Sequence, residues 1–438
     1  MPLDAYVSAM QDAGNQLRAR FGGGYLAEKA IERICRFRKD DGGYSDKDVH
    51  LPGRRAYIID SLKNPEELDL LRHVYGEAFC IFGVFAPEEM RVQRLQDAGT
   101  ARASIRRIVD RDQSEDVTFG QKTRKLFVES DFFVCNDKKR DELRRKIARF
   151  LDLMFDATIH TPTRAESAMY EASAAGANSA CMSRQVGAAI VSDKNELIAV
   201  GWNDVPRFGG GLYTEDNQHI WDVEKSGIID KDNRCFKWRG CQCHNETRKN
   251  GIVDKIYQKL MSSGLLKKGI AASKVSDVMK GTEIDSLIEF SRAIHAEMEA
   301  ILSVAREGRH SLVGSTLYTS TYPCHNCARH IVASGISSVV YIEPYLKSLA
   351  IDLHSDSITE DPEDRSRVVF RQYDGVAPRN YLRLFKPALP RKEGGKLSRP
   401  SRGDAIPVLR VPLDGQADYE AKVIAELSGK EESDINVR

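Results

Sequence analysis

One histidine, one glutamate and two cysteines constrain this chain more than any other feature. His295 and Glu297 stand two apart in HAEMEAI, and about 27 residues later Cys324 and Cys327 follow a proline in TSTYPCHNC. Neutral imidazole and thiolate are ligands that zinc prefers, and a catalytic zinc keeps one of its four positions for water. His295, Cys324 and Cys327 are therefore predicted to hold one catalytic zinc ion.

Both halves of this pattern are predicted to lie where a helix begins. A proline before C-x-x-C favours a helix start, whose free N–H groups favour thiolate over thiol. An apolar pattern predicts the other helix from Ile288. His295 and Glu297 are about 200° apart on a regular helix, so they converge only if His295 lies at the first turn. Either half alone is also typical of an amphipathic helix or a pair of reduced thiols, and the combination favours zinc.

H-x-E followed by P-C-x-x-C is the signature of zinc-dependent nucleobase deaminases, in which the glutamate moves protons and is not a ligand. The segments AESAMYEASAAGANSACMSRQVGAAIVSD, AVGWNDVP, IHAEMEAI and STLYTSTYPCHNCARHIVASGISSVVYIEPY resemble the deoxycytidylate deaminase branch of the cytidine deaminase fold, over most of residues 160–375. The resemblance implies a three-layer α/β/α domain with a mixed five-stranded sheet. It also implies that Glu297 is the proton shuttle of a hydrolase that removes the C4 amine of cytosine.

The same resemblance suggests which residues select the substrate. GWNDVP is similar to the family's G-[YW]-N-x-x-P, which makes Asn203 a candidate for the sugar; the alternative is an Asn that only makes an Asx-turn before Pro206. Arg184, Tyr345 and Lys347 are candidates for a 5′-phosphate, and each is also typical of a solvated surface. Glu299 is a departure, because many deoxycytidylate deaminases have Asn at this place.

Three domains are predicted. Residues 1–155 form an α/β domain whose pattern resembles the second half of a P-loop nucleotide kinase, but FGGGYLAEK lacks the phosphate-binding loop. Either the chain is naturally truncated or its start codon is assigned too far downstream. Residues 156–385 form the deaminase domain with a long insertion, residues 207–285, and residues 386–438 form a linker and tail.

A deaminase joined to a kinase-like domain, with YIEPY-x-KS, resembles the bacterial deaminases of phage defence. That resemblance implies depletion of dCTP and dCMP, with a small regulatory RNA or a phage-derived trigger as a partner. A homo-oligomer is expected. Housekeeping conversion of dCMP to dUMP, and deamination of cytosine or adenine in RNA or single-stranded DNA, are the alternatives.

A second, structural zinc is a further hypothesis, drawn from phage-type relatives that use a cysteine before the V-G-A strand. Its candidate ligands all lie outside the catalytic pattern: Cys181, Cys235, Cys241, Cys243 and His244. The alternative is a set of ordinary thiols in a loop.

Composition limits the remaining classes. Lys and Arg number 65 and Asp and Glu 64, so no global basic footprint indicates a polynucleotide partner. The nine cysteines are an odd number, and neither an export signal nor a membrane-length apolar run is recognised. A cytoplasmic protein with reduced thiols or metal ligands is therefore expected.

Overall fold

The computed structural model describes residues 3–45, 51, 53–113, 120, 122–137, 140–217, 219–267, 269–345, 347–387, 389–401, 403–408 and 414–436. It divides into two compact units. The first unit contains Met1–Pro162 and Asp374–Arg438, and the second unit contains Thr163–Tyr373. Among the described residues, no helix has the length and apolar character needed to cross a membrane.

The helices are α1 (Leu3–Phe21), α2 (Tyr25–Asp40), α3 (Pro65–Tyr75), α4 (Glu88–Asp97), α5 (Arg102–Gln113), α6 (Thr123–Val128), α7 (Arg140–Met154), α8 (Arg164–Gly176), α9 (His244–Ser262), α10 (Ala272–Met279), α11 (Glu283–Ser286), α12 (Ala296–Glu307), α13 (His325–Ala333), α14 (Ala350–His354), α15 (Tyr381–Phe385) and α16 (Asp414–Asn436). The strands are β1 (Phe82–Phe85), β2 (Phe132–Cys135), β3 (Gly187–Val191), β4 (Leu197–Trp202), β5 (His219–Asp222), β6 (Gly227–Asp230), β7 (Thr316–Thr321), β8 (Ser338–Glu343), β9 (Ile358–Thr359), β10 (Val368–Gln372), β11 (Gly375–Val376), β12 (Lys392–Glu393) and β13 (Lys396–Leu397).

The second unit is built on a mixed sheet with the strand order β4-β3-β7-β8-β10-β9. Strand β3 is antiparallel to both β4 and β7, whereas β7, β8, β10 and β9 are parallel to one another. The predicted five-stranded mixed sheet is confirmed, and the two-residue strand β9 adds a sixth strand at its edge.

Two glycines let helices approach opposite faces of this sheet. A Cβ atom on Gly187 would lie 1.8 Å from the Ala172 carbonyl of α8, and one on Gly201 would lie 2.4 Å from the Ala296 carbonyl of α12. Gly201 pairs with Ala188, the neighbour of Gly187, so the two glycines point to opposite faces. Helix α13 shares a hydrophobic core with α12. The predicted three-layer α/β/α arrangement is thus confirmed.

The helix predicted from Ile288 begins later, at Ala296, and that part of the prediction is wrong. Ile294 forms a β-bridge with Asp204, and its N–H donates to the Asp204 carbonyl at 2.9 Å, which keeps this segment extended. Ile288 packs against the core without being helical, which explains its place in the apolar pattern. His295 is the N-cap of α12, the position that brings it near Glu297.

The insertion at residues 207–285 is called the excursion here. Its described part contains the antiparallel hairpin β5–β6 and the helices α9, α10 and α11. The longest of these helices is α9, which begins at His244 and ends at Ser262.

The first unit contains a small sheet with the strand order β1-β2-β11. Strands β1 and β2 are parallel and are separated along the chain by α4, α5 and α6. Phe132 and Val134 of β2 pack with Phe150 of α7 in a hydrophobic core. The likeness of this unit to a nucleotide kinase stays a prediction.

The C-terminal part of the chain differs from the predicted division. Residues 374–385, assigned above to the deaminase domain, and the tail 386–438 both belong to the first unit. Gly375 of β11 pairs with Phe133, and Arg38 Nη1 donates to Glu420 Oε2 of α16 at 2.6 Å, across 382 residues of chain. Local sequence patterns contain no information about contacts between residues so far apart in the chain. The sequence therefore predicted only a linker and tail here.

Candidate metal centre

The three predicted zinc donors meet in the second unit. His295 Nδ1 lies 3.3 Å from Cys324 Sγ and 3.4 Å from Cys327 Sγ. Tetrahedral zinc, with Zn–N near 2.0–2.1 Å and Zn–S near 2.3 Å, requires N···S separations of about 3.5 Å. Within the described ranges, no other three His, Cys, Asp or Glu side chains gather their ligand atoms this closely. The donor chemistry and the spacing both fit zinc.

Two helix starts position these donors. His295 is the N-cap of α12 with extended backbone angles, φ −80° and ψ 155°, and Cys324 is the N-cap of α13. The Cys327 N–H donates to Cys324 Sγ at 3.5 Å, so the sulfur takes the place of the oxygen in a normal N-cap. Gly201 allows α12 to lie close to β4 where the helix begins.

Glu297 is buried beside the donors, and only 4% of the residue is exposed. Its Oε2 lies 3.5 Å from Cys327 Sγ, and it is not part of the three-donor group. Burial raises the pKa of this carboxyl above its ordinary value, against the opposing charge of His295. A carboxyl of this kind is suited to accepting and returning a proton near neutral pH.

The protonation of the donors follows from their mutual contacts. The hydrogen bond with Cys324 raises the pKa of His295 to about 9, although burial opposes it. Hydrogen bonds from Cys327 and His295 lower the pKa of the Cys324 thiol to about 4, whereas the pKa of Cys327 is raised. Metal ligands must be deprotonated, so binding zinc here would release protons from His295 and Cys327.

Asn203 lies at the end of β4, with only 8% of the residue exposed. Its Nδ2 donates to the Arg184 carbonyl at 2.8 Å, and its Oδ1 accepts from the Val186 N–H at 2.7 Å. The side chain therefore bonds to the segment before β3 rather than to the chain that precedes Pro206. This contact fixes the residues between Arg184 and Val186 against β4.

The three phosphate candidates lie in different surroundings. Arg184 is exposed and its Nη1 lies 3.0 Å from Glu343 Oε1 at the end of β8. Tyr345 is half-buried and packs against the core that contains Cys324, whereas Lys347 is exposed. The structure thus brings Arg184 to the C-terminal end of β8, where the chain continues to Tyr345. Lys347 is exposed to solvent.

Glu299, the departure from the family pattern, is buried on α12 and ion-paired. Arg306 Nη2 donates to Glu299 Oε1 at 2.6 Å. The carboxylate lies in the first turn of α12 and is therefore neutralised by a cation two turns further along the same helix; it is not among the metal donors.

The proposed second metal set does not gather in the described residues. Cys181 and Cys243 lie close enough to affect the Cys235 thiol, whose pKa is raised chiefly by burial. Cys241 is exposed, and the ring of His244 lies against Trp238. A structural zinc at these five residues therefore stays a prediction.

Sequence reasoning missed two features of the excursion near the centre. Trp238 stacks on Arg292, three residues before His295, and Lys249 of α9 acts electrostatically on Tyr345. Neither belongs to a motif. The alternation of basic and aromatic residues in RCFKWRG is a sequence signal that could have drawn attention to Trp238.

Several known proteins are similar to the part of the chain that contains this centre. A family model described as the cytidine and deoxycytidylate deaminase zinc-binding region matches residues 162–343. The chain is 29% identical over 170 residues to the deoxycytidylate deaminase of Enterobacteria phage T4. The aligned region covers 39% of this chain and 72% of the phage protein. It is 25% identical over 329 residues to the deoxycytidylate deaminase of Saccharomyces cerevisiae, covering 70% of this chain and 85% of the yeast protein.

Solved structures include similar proteins as well. The dCMP deaminase of cyanophage S-TIM5, crystallised with dCMP and dUMP, aligns with 49% of this chain and 100% of its own, at 18% identity and a TM-score of 0.26.

Proposed function

Because this chain belongs, through residues 162–343, to the deoxycytidylate deaminase family, we propose that it hydrolyses the amine of free deoxycytidine nucleotides. The substrates are dCMP, dCTP or both, and the products are the deoxyuridine nucleotide and ammonia. The observation that carries the proposal is the buried carboxylate of Glu297 beside the group of His295, Cys324 and Cys327.

His295, Cys324 and Cys327 would hold a zinc ion, which lowers the pKa of water and so supplies the nucleophile for attack at C4 of cytosine. Glu297 accepts a proton from the water and delivers it to N3 of the ring. It then transfers the second water proton to the amine, which leaves as ammonia. The water oxygen remains at C4, and both of its protons are accounted for. The raised pKa of Glu297 suits it to both steps.

The proposal also assigns the two ends of the nucleotide. Asn203 takes the sugar, and Arg184, Tyr345 and Lys347 take the phosphate. The assignment is supported by the bond between Asn203 and the Arg184 backbone and by the ion pair of Arg184 with Glu343, because together they hold Asn203 and Arg184 near the end of β8, from which the chain continues to Tyr345 and Lys347.

The biological role that we propose is depletion of deoxycytidine nucleotides during phage infection, under control of an inhibitory RNA or a phage-derived trigger. A homo-oligomer and a cytoplasmic location are part of the same proposal. Nucleotide pools before and after infection, in cells with the wild-type protein or with Glu297→Ala, test this role. A pool that falls only after infection supports defence, whereas steady conversion of dCMP in uninfected cells supports housekeeping dUMP supply.

The activity itself is tested by offering the purified, zinc-loaded protein dCMP, dCTP, deoxycytidine and a cytosine-containing single-stranded oligonucleotide. Ammonia release from a free nucleotide, at rates well above those with the oligonucleotide, is expected. Preferential deamination of the oligonucleotide, with strong salt dependence, would instead identify a polynucleotide deaminase.

A further inference from the structure

The first unit contains a cavity of about 410 Å³ beside the end of α7. Its walls are mainly apolar, with Phe155 and Pro407 among them, and they also include the carboxylate of Asp156. The Val408 N–H donates to the Met154 carbonyl at 2.7 Å, so the C-terminal part of the chain returns to the end of the helix and closes one side of the cavity. Sites for small molecules have volumes of about 300–1,000 Å³, apolar walls and a few placed polar groups, and this cavity is of that kind.

The end of α7 fixes the position of Asp156. Helix α7 ends at Met154, and Asp156 follows in the left-handed region, with φ 45°. The Asp156 N–H donates to the Leu153 carbonyl at 3.3 Å. The Ala157 N–H donates to the Asp152 carbonyl at 3.0 Å, which completes a Schellman helix end. The Asp156 side chain is only 15% exposed, and its buried Oδ2 atom accepts no hydrogen bond from the described residues.

Arg399 lies against this carboxylate, and its side chain is only 7% exposed. Its Nη2 lies 3.5 Å from Asp156 Oδ1, which is an ion pair without a hydrogen bond. Its Nη1 donates to the carbonyls of Pro390 and Ser398 at 3.4 and 3.3 Å, and these bonds hold the guanidinium in place. The Nε and Nη2 atoms are buried and donate to no group in the described part of the chain. They share one edge of the planar guanidinium, so a pair of N–H donors points the same way.

These buried groups define the chemistry of a ligand, because buried donors and acceptors in proteins are nearly always paired. The edge of Arg399 requires two adjoining acceptors, and Asp156 Oδ2 beside it requires a donor. A phosphate offers acceptors alone, and the carboxylates of Asp156 and Asp404, which both line the cavity, would repel it. Guanine carries the complete set: N7 and O6 accept from an arginine fork, and the adjoining N1–H and 2-amino groups donate.

We propose that this cavity binds the guanine base of a free nucleoside or nucleotide. Arg399 donates to N7 and O6, Asp156 accepts from N1–H and the 2-amino group, and apolar walls such as Phe155 and Pro407 pack on the ring. These residues belong to the first unit, whereas the metal donors belong to the second. The inference therefore goes beyond the proposed deamination and does not depend on it.

The first test compares ligands on the full-length, zinc-loaded protein by titration calorimetry. One guanosine per chain is expected to bind about 10- to 100-fold more tightly than adenosine, because adenine places an amino donor where guanine has the O6 acceptor. The analogue 7-deazaguanosine lacks the N7 acceptor and should bind about 10-fold more weakly than guanosine. Guanosine binding is expected to persist in saturating dUMP, which would fill the catalytic site.

The second test removes both charged groups together, so that neither is left buried without its partner. The double variant Asp156→Asn with Arg399→Gln retains a residue that tolerates the left-handed backbone. It should bind guanosine at least about 10-fold more weakly and no longer distinguish guanosine from 7-deazaguanosine. A merely structural role for the pair would leave that distinction intact. Lys396→Met, which changes an exposed residue of β13, is the control and should bind both ligands as the wild type does.

Several results would overturn the proposal. Guanosine that binds no more tightly than adenosine, or equally with 7-deazaguanosine, would remove the base contacts. Displacement of guanosine by dUMP would assign the binding to the catalytic site, and displacement by inorganic phosphate would identify an anion site. An oligoribonucleotide with an unpaired guanosine that binds more tightly than GMP would assign the guanine to RNA. The ligand comparisons use the wild-type protein, so they decide the matter even if the double variant does not fold.

Discussion

Arg292, three residues before His295, places its guanidinium carbon 3.6 Å from the centre of the Trp238 ring. Arg239 lies over the same ring at 4.4 Å, and Arg292 Nη1 donates to the Asn233 carbonyl at 2.9 Å. The excursion thus holds the extended segment that ends at His295. We therefore expect the excursion to help position His295, one of the predicted zinc donors.

Trp238→Ala is expected to loosen that segment. A cation–π contact contributes about 0.5–2 kcal/mol, so zinc should be lost to a chelator about 2- to 30-fold faster, with a similar fall in kcat/KM. Trp238→Phe retains an aromatic face and should restore most of both properties. Trp221→Ala changes an exposed tryptophan of the same excursion and serves as the control. Unchanged zinc release in Trp238→Ala would show that the stack does not support His295.

Glu297→Gln is expected to separate metal binding from catalysis. Glu297 lies outside the three-donor group, so the variant should contain as much zinc as the wild type. Turnover should fall by at least about 10²- to 10⁴-fold, because the amide cannot accept a proton. Zinc analysis and an ammonia assay on one preparation check both statements. Wild-type turnover in this variant would remove Glu297 from the mechanism.

The pH dependence of the reaction should report the environment of Glu297. Burial raises the pKa of this carboxyl above its ordinary value of 4.5, and the carboxylate form must be present to accept the first proton. Activity is therefore full above the raised pKa and is lost as pH falls through it. We expect the acid limb of kcat/KM to lie above pH 4.5. An acid limb at or below that value would show that the carboxyl is not perturbed in the working enzyme.

Metal content provides an independent check on the number of sites. The described residues gather one donor group, so we expect one zinc per chain. Cys327→Ala should lose that zinc, whereas Cys241→Ser should keep it, because Cys241 is exposed and outside the group. Two zinc ions in the wild type and one in Cys241→Ser would instead support the second site that was considered from the sequence.

The ion pair between Arg38 and Glu420 should stabilise the packing of α16 on α2 in the first unit. Both side chains are at least nine-tenths buried, so Arg38→Met removes the cation that pairs with Glu420 and leaves it hydrogen bonds such as that from the Tyr44 hydroxyl; we expect a cost at the lower end of about 3–5 kcal/mol. Hydrogen exchange of the α16 amides measures this locally, with Arg36→Met, which removes an exposed pair, as the control. Equal protection in wild type and Arg38→Met would contradict it.

Acid should weaken the same contact. Burial raises the pKa of Glu420, but the hydrogen bond and charge of Arg38 outweigh it and leave the pKa below its ordinary value of 4.5. A lowered pKa in the folded state contributes stability that is present above pH 4.5 and is lost as pH falls through the lowered value. Protection of α16 should therefore decline below pH 4.5 in the wild type and much less in Glu420→Gln.

The sequence was informative wherever chemistry depends on residues close together in the chain. His295 with Glu297, and Cys324 with Cys327, each belong to one helix start, so their spacing alone predicts which side chains converge. The predicted start of α12 at Ile288 was wrong because Ile294 pairs with Asp204, about ninety residues away in the chain, and this pairing keeps the segment extended.

Long-range contacts set the limit of prediction. The assignment of α16 to the first unit depends on Glu420 meeting Arg38, and no local pattern contains that information. Trp238 was missed for a related reason. Its contact with Arg292 joins residues more than fifty positions apart in the chain, so only the fold brings them together.

The most direct test of the central claim follows the amine itself. Zinc-loaded wild-type protein and its Glu297→Gln variant are incubated with dCMP and with dCTP that carry ¹⁵N in the exocyclic amine. We predict that the wild type transfers the label to ammonium and forms one deoxyuridine nucleotide per ammonium released, while the variant releases none. Full zinc occupancy in a wild-type protein that leaves the labelled amine on both nucleotides would contradict the account.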